Sequence, residues 1–277
     1  MSTLAGKTLI MSGGSRGIGE AIAVRAARDG ANVALIAKTA EPHPKLPGTI
    51  YTAAKAIEQA GGKALPIVGD IRDDEAVEAA VARTAEQFGG VDIVVNNASA
   101  IDLTPSESIP MKRYDLMQDI NARGSFLLSR TAIPYLRQAR NPHVLTLSPP
   151  IRLEEKWFQA GHLAYSIAKY SMSLVTVGLA AELRADGIAA NSLWPRTTID
   201  TAAIRNVVGE QLASHSRTPE IMADAAYAIL TKPSTEATGR FFIDDEVLAA
   251  AGVTDLSGYR IGGREEDLQL DFWVDPA

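Results

Sequence analysis

The sequence predicts an α/β fold, a doubly wound, seven-stranded parallel sheet with helices on both faces, on three observations. Short β-branched runs alternate with longer amphipathic stretches from the start of the chain. The runs are nearly continuous in apolar residues, as strands covered on both faces must be. A glycine-rich turn joins the first run to the first amphipathic stretch, the junction at which such sheets bind nucleotides.

The first strand is read at Thr8-Leu9-Ile10-Met11, followed by a helix over 17–29 and a strand at Asn32-Val33-Ala34-Leu35-Ile36, which closes a βαβ unit. A helix over 51–60, a strand over 64–68 and a helix over 74–88 lead to the apolar run Val91-Asp92-Ile93-Val94-Val95. Further strands are read over 144–147, 188–193 and 240–243, separated by helices over 112–138, 163–185 and 219–231. Residues 39–50 hold Pro42, Pro44 and Pro47, which suit neither a helix interior nor a central strand. They are expected to form a rigid loop overhanging the nucleotide; a surface insertion is the alternative.

With 277 residues, the chain is read as one domain over 1–250 and a tail over 251–277, where the alternation stops. The tail ends in Leu268-Gln269-Leu270-Asp271-Phe272-Trp273 and is expected to pack on the body or on a neighbouring subunit. Hydrophobic residues make up 46% and charged residues 22%, enough for a substantial core and unlike a disordered chain. The net charge of −6 argues against a broad nucleic-acid or anionic-membrane surface. The absence of cysteine excludes disulfide, iron–sulfur and thiolate–zinc frameworks. His43, His143, His162 and His215 lack metal-site spacing, so no metal is expected. No leader-like segment, no run of about 18 apolar residues and no terminal address signal is read, which makes cytoplasmic residence the expectation.

Ser12-Gly13-Gly14-Ser15-Arg16-Gly17-Ile18-Gly19 stands between the first strand and the first helix. Glycines let the backbone turn and approach a pyrophosphate, while free amides at the helix start attract its charge. An ordinary glycine turn would look the same in isolation; the strand–turn–helix setting favours a Rossmann-type dinucleotide site. Tyr165 and Lys169 are four apart on an expected helix and share a face. A free phenol ionises near ~10, and a neighbouring ammonium would lower that value toward working pH. Tyr165 would then give a proton to a carbonyl oxygen, or take it back from an alcohol. A tyrosine and a lysine at a helix rim are the bland alternative, outweighed by the dinucleotide motif.

The glycine spacing, Asp70, Asn96-Asn97-Ala98-Ser99, Tyr165-x-x-x-Lys169 and Asn191-x-x-x-Pro195 follow in order, and together they resemble the short-chain dehydrogenase/reductase family. Segments such as MKRYDLM, NPHVLTLSPP and FFIDDEVL further resemble the dehydrogenase domain of the hydroxysteroid dehydrogenase-like proteins. The resemblance implies cofactor contacts from Gly13, Ser15, Arg16, Gly17, Ile18 and Gly19, with Asp70 and Ile71 at the adenine. It implies further contacts from Asn97 and Ala98, from Tyr165 and Lys169 at the ribose, and from Pro195 and Thr198 at the nicotinamide. Asn121 matches the family's helix asparagine, whose main chain holds a proton-relaying water; a helix-bending role competes. Ser99 and Arg196 stand where the family usually has glycine.

An NAD-type site usually has an acid at the end of the second strand, and here that position reads Ala37-Lys38. With Arg16 in the glycine loop, two cations and no acid favour NADP(H); both could instead be solvated surface groups. The family's strand ending in two serines reads Ser148-Pro149-Pro150, so the usual catalytic position falls on a proline with neither hydroxyl nor amide proton. Ser148 is therefore the expected carbonyl-polarising donor. Trp157, Phe158, Trp194 and Ile199 are expected to frame a pocket for a bulky apolar carbonyl or alcohol, while Arg152 and Lys156 leave an anionic substrate open. The resemblance implies a homodimer or homotetramer. The competing function is a catalytically weak NADP(H)-binding sensor or scaffold.

Overall fold

Residues 3–43, 47–207 and 209–277 are described by a computed structural model. All five residues of β1 (Thr8–Ser12) are buried, with Leu9 and Met11 pointing into one apolar layer and Ile10 into the other. That alternation places helices on both sides of the sheet. β1 pairs in parallel with β2 (Asn32–Ala37) and β4 (Ile93–Asn96), and β2 with β3 (Lys63–Val68). β5 (His143–Thr146), β6 (Ala189–Trp194) and β7 (Phe241–Ile243) extend the other side, giving the order β3-β2-β1-β4-β5-β6-β7. The order reverses between β1 and β4, where the carboxyl ends of the strands open a crevice.

Helices α1 (Gly17–Ala27), α2 (Ile50–Gln59) and α3 (Asp74–Phe88) connect the first four strands. The stretch expected as one helix over 112–138 divides into α4 (Met111–Met117), a π-helical turn (Gln118–Arg123) and α5 (Gly124–Leu136). Gly124 opens α5 because a Cβ there would meet Ile71 Cγ1 at 2.9 Å. β4 starts at Ile93 rather than Val91, since Asp92 turns its carboxylate onto Lys7 Nζ and the Thr8 amide at 2.8 and 2.9 Å. α6 (Leu163–Glu182) is long and apolar enough by length and composition to cross a membrane, yet 56% of that window is buried, as in a core helix. α7 (Ala202–Val207), α8 (Glu220–Leu230) and α9 (Asp244–Ala250) complete the helices among the described residues, with α8 packed on α1.

The tail lies across the segment that follows β6. Leu270 bridges antiparallel to Thr197, the Thr198 amide donates to Gln269 O at 2.9 Å, and the Asp271 amide donates to Arg196 O at 3.0 Å. Trp273 is fully buried at φ 61, the one non-glycine residue at positive φ among the described residues.

Candidate active site

A cleft of about 430 Å³ follows the carboxyl ends of the strands, from Lys38 and Asp70 to Tyr165 and Lys169. Its floor is the turn after β1. Gly13 (φ 75) has no room for a side chain, because a Cβ would stand 2.8 Å from Ala98 Cα; a Cβ on Gly19 would stand 2.5 Å from Asn97 Nδ2. Asn97 Nδ2 donates to the carbonyls of Ser12 and Gly13 at 3.1 and 2.8 Å, tying the loop after β4 to the glycine turn. Arg16 precedes α1 without a side-chain hydrogen bond to the helix amides. The first amides and positive end of α1 are thus left for an anion, and the residues fit a pyrophosphate.

Arg16 lines the cleft but also clamps the loop before α2, donating to Pro47 O and Gly48 O at 3.0 and 2.9 Å. Of the expected proline-rich loop, residues 44–46, with Pro44, lie outside the described residues. Lys38 reaches over the cleft to 3.2 Å from Asp70. Arg72 first, and Lys38 after it, hold the Asp70 carboxyl well below the ordinary carboxylate range.

At the other end, Tyr165 and Lys169 sit one turn apart on α6, both buried. Lys169 Nζ donates to Leu147 O at 2.6 Å and stands 4.9 Å from the centre of the Trp194 ring. Burial pulls Lys169 down to about 7, against the pull of the Asp271 carboxylate. Burial, then Asp271, pushes the Tyr165 phenol above its ordinary value, while the Ser99 hydroxyl beside it favours ionisation. Burial thus sets the direction for the phenol, and the Lys169 ammonium is turned to a carbonyl.

Of the expected cofactor and catalytic residues, all but Gly19, Thr198, Asn121 and Ser148 line the cleft. Gly19 lies behind Asn97. Thr198 spends its hydroxyl on Ser216 Oγ at 2.8 Å and its amide on Gln269. Asn121, fully buried in the π-turn, accepts from the Ala100 amide at 2.7 Å and donates to the Ala100 carbonyl at 3.1 Å, which fixes the loop carrying Ser99. Ser148 is fully buried, and its hydroxyl has no hydrogen-bond partner among the described residues. The Ser148 amide folds back to Thr146 O at 3.0 Å as the chain enters Pro149-Pro150, and Ser148 does not line the cleft. Ser99 stands on the cleft wall instead. Neither Ser99 nor Arg196 has a positive φ, so the family's glycines are not needed there.

Trp194 and Ile199 line the cleft as expected, whereas Trp157 packs against the apolar cluster that holds Tyr165 and Trp194, and Phe158 sits edge-on to Tyr170 at 6.2 Å. Arg152 pairs with Glu154 and Lys156 with Asp275. Sequence reasoning missed Ile101, Met222, Asp271 and Phe272 as lining groups. The apolar end of the tail was the one visible signal, and it did not say where the tail lands.

The sequence model of the short chain dehydrogenase family matches residues 7–211. Hydroxysteroid dehydrogenase-like protein 2 of Xenopus tropicalis is 54% identical over 99% of this chain and 65% of the relative. The human protein of that name is 50% identical over 98% of this chain and 64% of the relative. The chain therefore spans slightly less than two thirds of the length of these relatives. The crystal structure of a short chain dehydrogenase from Mycobacterium thermoresistibile is 59% identical, with a TM-score of 0.92 over 99% of this chain and 96% of that one.

Proposed function

From the premise that this chain belongs to the short-chain dehydrogenase family, a family of oxidoreductases that use a nicotinamide cofactor, we propose that it interconverts a carbonyl and an alcohol with NADP(H). The observation that carries this reading is that one cleft joins the uncapped start of α1 to the buried Tyr165–Lys169 pair. Gly13, Ser15, Gly17 and Ile18 would hold the pyrophosphate, and Asp70 and Ile71 the adenine. Lys38 and Arg16 support a 2′-phosphate, since Ala37 leaves no acid to repel it. When bound, the nicotinamide supplies or accepts the hydride. Tyr165 delivers the proton to the substrate oxygen, and Lys169 holds the ribose and restores that proton. Ser99 takes the part first expected of Ser148, donating its hydroxyl to the substrate oxygen beside Tyr165. Ile101, Trp194, Ile199, Met222 and Phe272 give the pocket an apolar wall suited to a bulky neutral substrate.

Cofactor oxidation by the purified protein over a panel of aldehydes and ketones tests the reading. The expected result is turnover with NADPH, lost by at least about 100-fold in Tyr165→Phe with NADP(H) affinity retained. Lys38→Asp should weaken NADPH far more than NADH. Undiminished turnover in Tyr165→Phe would remove that residue from the chemistry, and equal losses for both cofactors would remove the phosphate preference.

A further inference from the structure

The reactive end of the cleft holds an ionisable group that the reading above does not use. Asp271 lines it together with Tyr165 and Lys169. The antiparallel strap carries it there, with the Asp271 amide on Arg196 O at 3.0 Å and Leu270 bridged to Thr197. Just beyond, Trp194 Nε1 donates to Phe272 O at 2.9 Å, and the Trp273 ring packs 5.8 Å from that of Tyr165 and 5.4 Å from that of Tyr170. The positive φ of Trp273 is a conformation that side chains rarely adopt and that persists only where the surroundings impose it. The strap is therefore pinned on both sides of Asp271.

The charged and titratable groups around Asp271 are few. Lys169 and Tyr165 line the same cleft from α6, and His162, at the start of that helix, packs on Phe272 at 4.4 Å. Arg196 is taken up by Asp245 and Glu246, and its amide by the buried Asp244. One oxygen of Asp271 accepts from the Phe272 amide at 2.7 Å. Burial moves the Asp271 carboxyl up and the Lys169 ammonium down, and each acts on the other in the opposite sense, so the two groups approach one another in proton affinity.

Resting on the dehydrogenase reading above, we propose that Asp271 is a third proton-handling residue of this site, brought in by the C-terminal strap to recharge the Lys169–Tyr165 pair. In the reducing direction the Tyr165 O–H bond breaks as the substrate oxygen takes the proton, leaving a phenolate. A proton on Lys169 Nζ passes to that phenolate, and the Asp271 carboxylic acid passes its own to the resulting amine and ends as a carboxylate. Solvent returns a proton to Asp271. The oxidising direction runs the same transfers in reverse.

The test reads Lys169 directly in the full chain, with ¹³C-labelled lysine and the signal assigned by Lys169→Arg. Asp271→Asn is expected to move the Lys169 midpoint to lower pH by about one pH unit, and Asp271→Glu to return it. Reductive turnover in Asp271→Asn should fall about 100-fold, with its pH profile displaced the same way. An unmoved midpoint and profile in folded Asp271→Asn overturns the proposal, even where Tyr165→Phe is inactive and the dehydrogenase reading stands. A moved midpoint in a protein that turns over nothing upholds the Asp271–Lys169 pair and overturns the dehydrogenase reading. Should Asp271→Asn not fold, the coupling is read from the other side. Lys169→Met must then raise the ¹³C-monitored midpoint of the Asp271 carboxyl, and no change would end the proposal.

Discussion

Ser99 and Ser148 differ less in chemistry than in what holds them. The Ser148 hydroxyl is buried off the cleft, without a partner among the described residues, whereas Ser99 stands on the cleft wall on a loop that Asn121 fixes through both polar atoms of its amide. A donor aimed at a developing oxyanion is worth ~10²–10³ in rate. Ser99→Ala is thus expected to lower kcat by about that factor with NADP(H) binding unchanged, and Ser148→Ala to leave kcat within a few-fold. Steady-state kinetics of the two variants decide between them, and the opposite ranking would return the role to Ser148. Alignment on the strand pointed to Ser148 because it counts positions along the chain. It could not register that Ser148 is buried off the cleft. Ser99 drew notice only as a departure from glycine, since its nearness to Tyr165 comes from the packing of β4 beside β5.

The elements were legible wherever a local period specifies them. All seven strands lie within about two residues of where apolar runs place them, and the four central ones, β1, β4, β5 and β6, are buried throughout and leave no polar alternation to confuse the reading. The stretch over 112–138 was read as one helix because a π-turn keeps the apolar spacing while adding one residue to a turn. Asn121, within that turn, holds both polar groups of Ala100, a tertiary contact. The tail pairs with residues 197–198 far back in the chain, and no window of sequence spans that distance. A pH dependence belongs to β5, whose first residue, His143, is buried and hydrogen-bonds Lys232 O through Nε2 at 3.1 Å. Burial holds its imidazole down to about 4, so the folded chain keeps it neutral while the unfolded chain protonates near 6.5. Between those values the unfolded state binds more protons, and stability falls as pH falls. The loss is about 3 kcal/mol across that window. Denaturant titrations from pH 7 to pH 4 should show it in the wild type and show it largely removed in His143→Gln.

On the scale of the molecule, α6 turns one side inward with Tyr165 and Lys169 and leaves Leu163, Ile167, Leu174 and Val177 exposed on the other. Phe126 on α5 is also exposed, at 50%. Residues spaced by three and four form a stripe along one helix face, and an apolar stripe of this kind marks an association surface. We expect a homo-oligomer in which α5 and α6 meet their copies. Sedimentation at micromolar concentration should show a dimer or tetramer, and Leu174→Glu should weaken the assembly by about 100-fold or more. A monomeric wild type would count against it.

The strap that carries Asp271 and Trp273 also orders events in time. A chain emerges from the ribosome at about 5–20 residues per second, so the glycine turn and the loop after β4 are available some ten to forty seconds before residues 269–273. The nucleotide half of the cleft can assemble in that interval, while the Tyr165 ring still lacks the indole that covers it and the carboxyl beside it. The reactive end of the cleft is thus completed after the glycine turn that floors its other end.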